Sequence, residues 1–445
     1  MHSSGSQRQP IRASAAAFVG TMIEWYDFYI YGTASALIFG ELFFPSKSAF
    51  ISTLAAFATF AVGFFARPLG GVVFGHLGDK IGRKKALIVT LLMMGIATIC
   101  IGCLPTYSRV GLWAPALLVS LRIVQGIAVG GEWGGAVLMA GEHAPKGRRM
   151  FFASFAQLGS PAGLIVSLLA FRAVTSMPKA AYLGWGWRLP FLASVFLLFV
   201  GLAIRLGVSE SPEFEQLRST QKTAKIPVIE VLRTAWRRVL LAIGANALGI
   251  AGFYFTSTFM IAFTTQYLGL PRAMVLNCLF IVAICQFCGQ PLAALMAEKV
   301  GESRFLLWTS GLSMLTPYFM FSLVETKRVP IMIVGIATSV VIMASFYAVM
   351  AGFVSSAFPT RVRYSGISLA YQFSGATFGG MTPFIGTVLA EHFKGHWWPL
   401  GLFYTAIAGT SFVCVAGLMR MNRKYGNYGQ QDIDLPDLAV AAETE

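Results

Sequence analysis

The sequence predicts an all-α membrane protein of twelve transmembrane helices arranged as two six-helix pseudo-repeats. Three observations carry that prediction. Of 445 residues, 56% are hydrophobic and only 12% charged, with a mean hydropathy of +0.68, too apolar for a water-soluble chain of this length. The apolar residues gather into twelve runs, near 14–40, 49–74, 84–105, 112–141, 151–175, 186–207, 238–266, 273–297, 305–324, 329–357, 364–391 and 399–420. About 20 such residues cross the hydrocarbon core as a helix. The halves also echo each other. Glu298-Lys299-Val300-Gly301 repeats Asp79-Lys80-Ile81-Gly82 at an offset of 219 (298 minus 79), and Pro359-x-x-x-Arg363 repeats Pro145-x-x-x-Arg149 at 214 (359 minus 145). Offsets that agree this closely mark a duplicated unit.

At the N-terminus, Arg8 and Arg12 precede the first run, but Glu24 and Asp27 interrupt it and no small-residue cleavage site follows. The first helix is therefore expected to stay in the mature protein rather than leave as a signal peptide. An even number of spans puts both termini on one side, and the basic residues decide which. Arg8, Arg12, Lys80, Arg83, Lys84, Lys85, Lys146, Arg148, Arg149, the stretch around 205–238, Lys299, Arg304, Arg361, Arg363, Arg420, Arg423 and Lys424 fall on that side. They outnumber Lys47, Arg109, Arg172, Lys179, Arg188, Arg272, Lys327, Arg328 and Lys394 opposite, which predicts cytoplasmic termini for a multi-pass membrane chain. The longest polar stretch between spans divides the chain into a six-helix half at 1–207, a cytoplasmic linker at 208–237, a second half at 238–420 and a tail at 421–445. The tail ends in Asp432, Asp434, Asp437, Glu443 and Glu445 and is expected to be disordered.

The net charge of +15 does not point to nucleic acid, because the basic residues stand in short clusters between spans, where loops meet a membrane surface. Cys100/Cys103 and Cys285/Cys288 have C-x-x-C spacing without His or acidic neighbours, so they read as membrane thiols and no metal is expected. No nucleophile motif or phosphate-binding loop appears in a suitable context, which argues against an enzyme and for no cofactor beyond a proton gradient. The expected partners are a small molecule, protons and the bilayer, around a monomer.

Ionisable side chains at bilayer depth are expensive unless paired or hydrated, and each is a functional candidate. They are few, and all stand in the first half: Glu24 and Asp27 in the first span, Arg67 in the second, Arg122 and Glu132 in the fourth. Glu24 and Asp27, three apart, share a helix face. Arg122, Gln125, Val129 and Glu132 follow helical spacing along one face of the fourth helix. Asp27 is expected to pair with Arg122, and Glu24 or Glu132 with Arg67. A carboxylate is held ionised beside an arginine and neutralised when buried alone, so a switch between those settings would couple a proton to transport. The same residues read equally as static ion pairs holding helices together, Arg67 most of all. Glu142 and His143, at a helix end, are expected to be solvated. The second half offers neutral contacts, with Tyr347, Tyr371 and Gln372 as substrate candidates beside Tyr26, Gln125 and Arg122 of the first half.

Between the second and third runs stands Gly75-His76-Leu77-Gly78-Asp79-Lys80-Ile81-Gly82-Arg83-Lys84. This loop resembles the signature G-x-x-x-D-[RK]-x-G-R-[RK] of the major facilitator superfamily. The glycines allow close approach of helix ends, and Asp79 suits a helix N-terminus. Gly75, Asp79, Gly82, Arg83 and Lys84 are accordingly candidates for a gating loop. Glu24-Trp25-Tyr26-Asp27-Phe28, Ala66-Arg67-Pro68-Leu69-Gly70, Gly130-Gly131-Glu132-Trp133-Gly134-Gly135-Ala136, Gly186-Trp187-Arg188-Leu189-Pro190-Phe191, Glu210-Ser211-Pro212-Glu213-Phe214 and Phe358-Pro359-Thr360-Arg361-Val362-Arg363-Tyr364-Ser365-Gly366 are similar to the metabolite:proton symporter family. That family carries shikimate, proline or betaine, α-ketoglutarate and citrate. The resemblance implies a major facilitator fold and proton-coupled import by alternating access, with a small organic acid such as shikimate as substrate, since an arginine fork suits a carboxylate. A proline/betaine-type osmolyte symporter is the alternative, as is an uncoupled facilitator or exporter, which Gly159-Ser160-Pro161-Ala162-Gly163 faintly resembles. Two departures stand out. Tyr371-Gln372 occupies a place where relatives often have Tyr-Asn, and Gly301-Glu302 replaces the Gly-Arg of the loop, implying a weaker latch in the second half.

Overall fold

The computed structural model describes residues 9–46, 49–145, 147–175, 177–210, 214–216, 227–260, 263–264 and 267–425. The acidic end of the tail and linker residues 211–213 and 217–226 lie outside them. The described residues are mostly helical, with no strand among them.

Helix α1 runs Gln9–Ala34 and continues through a π turn, Ser35–Phe39, to Phe43. Then come α2 (Ala49–Ile81), α3 (Arg83–Cys103), α4 (Trp113–Glu142), α5 (Arg149–Thr175) and α6 (Leu189–Leu206). In the second half, α7 joins Trp236–Ala245 and Ala247–Tyr254 to a π turn, Phe255–Phe259. It is followed by α8 (Arg272–Val300), α9 (Glu302–Ser313, then Thr316–Val324) and α10 (Val329–Ser355). α11 is Arg363–Ser374, a π turn Gly375–Gly379 and Met381–His392, and α12 is Trp398–Tyr425. Eight of the described helices are long and apolar enough to cross a membrane by length and composition.

Four spans, the first with its π turn among them, are less regular than the hydropathy pattern predicts. The run at 305–324 is broken at Met314–Leu315, where Pro317 opens the second segment and cannot supply the missing N–H. The runs at 238–266 and 364–391 are interrupted by the π turns in α7 and α11, a register change that periodicity cannot show. The π turns of α1 and α7 begin at Ser35 and Phe255, an offset of 220 (255 minus 35) that follows the repeat.

Small residues set how closely the helices pack. α4 crosses α2 so tightly that a Cβ on Gly130 would lie 2.2 Å from the Arg67 carbonyl oxygen, the small-residue interface that brings helices together without a hydrophobic driving force. α2 meets α11 of the other half in the same way. A Cβ on Gly78 would overlap the Tyr364 ring, 1.7 Å from Cδ1. Gly82 turns the chain into α3 at φ +114°, and a side chain there would strike Glu210. Glu210 accepts the N–H groups of Arg83 at 3.0 Å and Lys84 at 3.2 Å, an acidic group satisfying the first turn of a helix. Phe214 lies 4.8 Å from the Arg83 guanidinium. Together these contacts account for Glu210 and Phe214 at the start of the linker.

Candidate functional site

Two polar layers run through the first half, one turn or more apart along each helix. The outer layer centres on Asp27 of α1. Its Oδ1 accepts the Ser194 hydroxyl of α6 and its Oδ2 the Thr98 hydroxyl of α3, each at 2.7 Å. Gln125 Nε2 of α4 donates to Thr98 at 2.7 Å, and Arg122 Nη1 donates to Gln125 Oε1 at 3.1 Å. The expected direct pair of Asp27 with Arg122 is thus replaced by a three-link chain through Gln125 and Thr98. Spacing placed both charges on facing helices, but it could not show that two neutral side chains fit between them.

The inner layer centres on Glu132 of α4, and its cation is not Arg67. Arg205, in the last turn of α6, forms the ion pair with Glu132, its Nη1 also reaching Oε2 at 3.1 Å, while Thr90 of α3 donates to Oε2 at 2.7 Å. Arg205 also donates to the Leu87 carbonyl. In the sequence Arg205 stands at a span end like any basic flank, and only the fold reveals it as 4% exposed.

Between the layers, at the contact of the halves, lies a third group. Glu24 and Arg67 are both 3% exposed and within electrostatic reach of each other. Glu24 Oε2, Arg67 Nε and the Tyr254 hydroxyl of α7 are buried without a hydrogen-bond partner among the described residues. Arg67 and Arg122 each lie over the Phe28 ring at 4.5 Å, and Arg67 over Phe64 at 4.6 Å. Cation–π contacts of this kind stabilise a guanidinium away from water. Phe64 in turn meets Tyr254 edge-on at 5.5 Å.

The other substrate candidates are tied up. Tyr26 donates to the Pro190 carbonyl at 2.7 Å. Gln372 reaches across to the Gly130 carbonyl at 3.0 Å. The Tyr347 and Tyr371 hydroxyls meet at 2.6 Å, and the Tyr371 ring stacks on Trp133 at 3.7 Å. Trp133 donates to Gln157 at 2.8 Å, and Gln157 donates to the Tyr347 carbonyl at 3.1 Å. Sequence reasoning missed Thr98, Ser194, Tyr254, Thr90 and Arg205.

On the side of the termini the halves are clasped. Asp79, 2% exposed, accepts the N–H groups of Tyr364 at 3.1 Å and Ser365 at 2.8 Å at the start of α11. Arg83 sits 3.7 Å from Asp79 and donates to the Thr360 carbonyl at 3.1 Å. Glu142 stands 3.6 Å from Arg83 and 3.5 Å from Arg363. It is therefore a buried bridge rather than the solvated end expected. His143 is buried too, its ring nitrogens against the Met139 carbonyl at 2.8 Å and Ser209 at 3.2 Å. Tyr364 closes the clasp with a 2.6 Å bond to the Gly131 carbonyl. The related position in the second half, Glu298, accepts the N–H of Phe151 in α5 at 2.9 Å.

A profile of the family described as "Sugar (and other) transporter" matches residues 13–233. The chain is 40% identical over 404 residues to the shikimate transporter of Escherichia coli K12, covering 89% of this chain and 91% of that one. It is 35% identical over 406 residues to the inner membrane metabolite transport protein YhjE of the same organism, covering 90% and 92%. The fold is similar to that of the solved proton:xylose symporter XylE, with a TM-score of 0.73 over 96% of this chain and 98% of that one at 16% identity.

Proposed function

This chain belongs to the major facilitator superfamily, among the metabolite:proton symporters, and from that premise we propose that it imports a small organic acid, such as shikimate, together with a proton. The observation that carries the reading is Asp27, a buried carboxylate joined to Arg122 through a hydrogen-bond chain of Thr98 and Gln125. Such a link can open or close with small helix movements. When it is closed, the guanidinium stabilises the ionised carboxylate; when it is open, burial favours the protonated form. The substrate carboxylate takes Arg67, whose planar fork suits two oxygens, and the hydroxyl of Tyr254 and the free oxygen of Glu24 serve the substrate's hydroxyl groups. Both lie where the halves meet, the place from which a central site is reached from either side in turn.

The orientation supporting import has both termini in the cytoplasm, as the basic loops indicate, in the inner membrane. The clasp of Asp79, Arg83 and Glu142 with α11 then seals the cytoplasmic side. Substrate and proton enter from outside. Their binding lets the halves, 1–207 and 238–420, rock about the site, opening the clasp so that both leave inward.

Uptake into proteoliposomes with an imposed inward proton gradient tests the reading, with shikimate, dicarboxylates, citrate and betaine as substrates. Uphill accumulation of an organic acid, collapsed by a protonophore, is expected. Equilibration without accumulation would leave a facilitator, and preference for betaine over every acid would overturn the substrate class.

A further inference from the structure

The transport reading uses Asp27 for the proton and leaves the inner layer without a task. Three features of that layer point to one. Glu24 stands between the layers, within electrostatic reach of both Arg67 and Arg205, and its Oε2 has no partner among the described residues. Arg205 presses against α1 one turn below Glu24, so closely that a Cβ on Gly20 would lie 1.9 Å from its Nη2. A small void lined by Ala16, Ala17, Lys84, Leu87, Met139, Arg205 and Val208 borders the same guanidinium, and Lys84 at its rim is half-exposed on the side of the termini.

We propose, resting on the symport reading, that Glu24 is a second proton station and that the Glu132–Arg205 pair sets how tightly it holds its proton. The path descends one face of the first half. From Asp27 it passes Glu24 one turn on, then reaches Arg205, Glu132 and the void, a separation of roughly 10 Å along α1 between Asp27 and Gly20. A proton leaving the outer layer binds the Glu24 carboxylate oxygen, and the O–H bond later breaks toward water at the cytoplasmic side. Arg205 acts through Glu24 and touches no substrate, so it is a positioning residue.

The charges facing Glu24 fix the direction of each effect. They are Arg67 of α2, Arg205 of α6 with Glu132 of α4 behind it, Asp27 on its own helix, and the hydroxyls of Tyr254, Tyr347 and Tyr371 on α7, α10 and α11. Removing Arg205 takes away a cation and bares Glu132, so both changes favour a protonated Glu24. Neutralising Glu132 leaves Arg205 without its anion and favours an ionised Glu24.

Infrared difference spectroscopy of the purified protein in liposomes, titrated with pH and without substrate, reads this directly. A protonated-carboxyl band that Glu24→Gln removes is expected. Its midpoint should move up in Arg205→Gln and down in Glu132→Gln, by about 1–3 pH units, the range an adjacent charge produces. Arg205→Lys keeps the charge and should keep the midpoint within a fraction of a unit, which separates the charge effect from damage to the fold. A band untouched by Glu24→Gln overturns the proposal, as do midpoints that stay put or move together. Because no substrate is involved, a negative result here leaves the accumulation assay to decide the symport reading by itself.

Discussion

Asp79 accepts the backbone N–H of Ser365 at 2.8 Å across 286 residues of chain. The signature loop of the first half therefore caps a helix of the second. Asp79 does sit at a helix N-terminus, as its type suggests, but the helix is α11 rather than its neighbour α3, whose first turn is served by Glu210. This divides two tasks that the loop sequence merges: Glu210 holds the loop's shape, and Asp79 holds the halves together. An exposed gate would be screened by salt, whereas Asp79 is buried and screened much less.

Asp79→Asn should loosen this clasp while sparing the substrate. Hydrogen bonds to a charged acceptor contribute about 1.5–3 kcal/mol, so the ratio of cytoplasm-closed to cytoplasm-open protein should fall about tenfold or more. Spin-label distances between the cytoplasmic ends of α2 and α11 would report the change, beside substrate affinity in detergent. Lost affinity with an intact fold would show that Asp79 does more than gate.

The spans and the charged residues within them were legible because apolar run length and isolated charges are local properties of sequence. Partners were not. Helical spacing puts Arg122 and Glu132 on one face of α4, but it does not say which neighbour that face meets, nor how much room is left between. Thr98 and Ser194 looked like ordinary hydroxyls in a span, where back-bonding to the helix is the common fate; Thr98 keeps such a contact, to the Met94 carbonyl at 3.0 Å. Arg205 was hidden because a basic residue at a span end has an equally good reason to be there. The break in α9 and the π turn in α11 preserve composition while changing geometry, so hydropathy passes over both.

Gly130→Ala should destabilise the fold. The atom a methyl group would strike is backbone, the Arg67 carbonyl oxygen at 2.2 Å, and it cannot rotate away. Overpacking of this kind costs about 1–3 kcal/mol, to be seen as a lower apparent Tm in detergent. Gly375→Ala, where a Cβ meets nothing within 4 Å, should be tolerated. Equal Tm values for the two variants would mean that α2 and α4 separate more readily than their packing indicates.

Gln372→Ala should leave substrate affinity unchanged and shift the conformational balance instead. Its Nε2 donates to the Gly130 carbonyl at 3.0 Å, a contact between halves. A net contribution of about 0.5–1.5 kcal/mol predicts a few-fold change in the closed-to-open ratio by the same spin-label distances. Weakened binding would return Gln372 to the substrate site.

Arg67→Gln should raise KM for an organic acid more than it lowers kcat, because a cation that meets the substrate carboxylate contributes to binding in ground and transition states alike. Arg67→Lys keeps the charge without the fork and should fall between. A neutral kcat and KM in both variants would mark Arg67 as a packing group for Phe28 and Phe64.

Asp27→Asn carries the sharpest outcome. Asparagine keeps the shape and can still accept from one of the Thr98 and Ser194 hydroxyls, its NH2 turning to the other as a donor, but it carries no negative charge for Arg122 to stabilise and takes up no proton, so it stands permanently in for the protonated carrier. Net accumulation requires the carrier to return empty and deprotonated, and that step should be lost. Exchange of labelled for unlabelled substrate needs only the loaded carrier to cross in both directions, and a measurable part of it should remain. Thr98→Val cuts the link from Gln125 to Asp27 while leaving the carboxylate in place, so it should weaken accumulation without abolishing it. If Asp27→Asn still accumulates substrate uphill under a proton gradient, the coupling proton is not bound there. Glu24, one turn toward the N-terminus and also buried, then becomes the group to neutralise next.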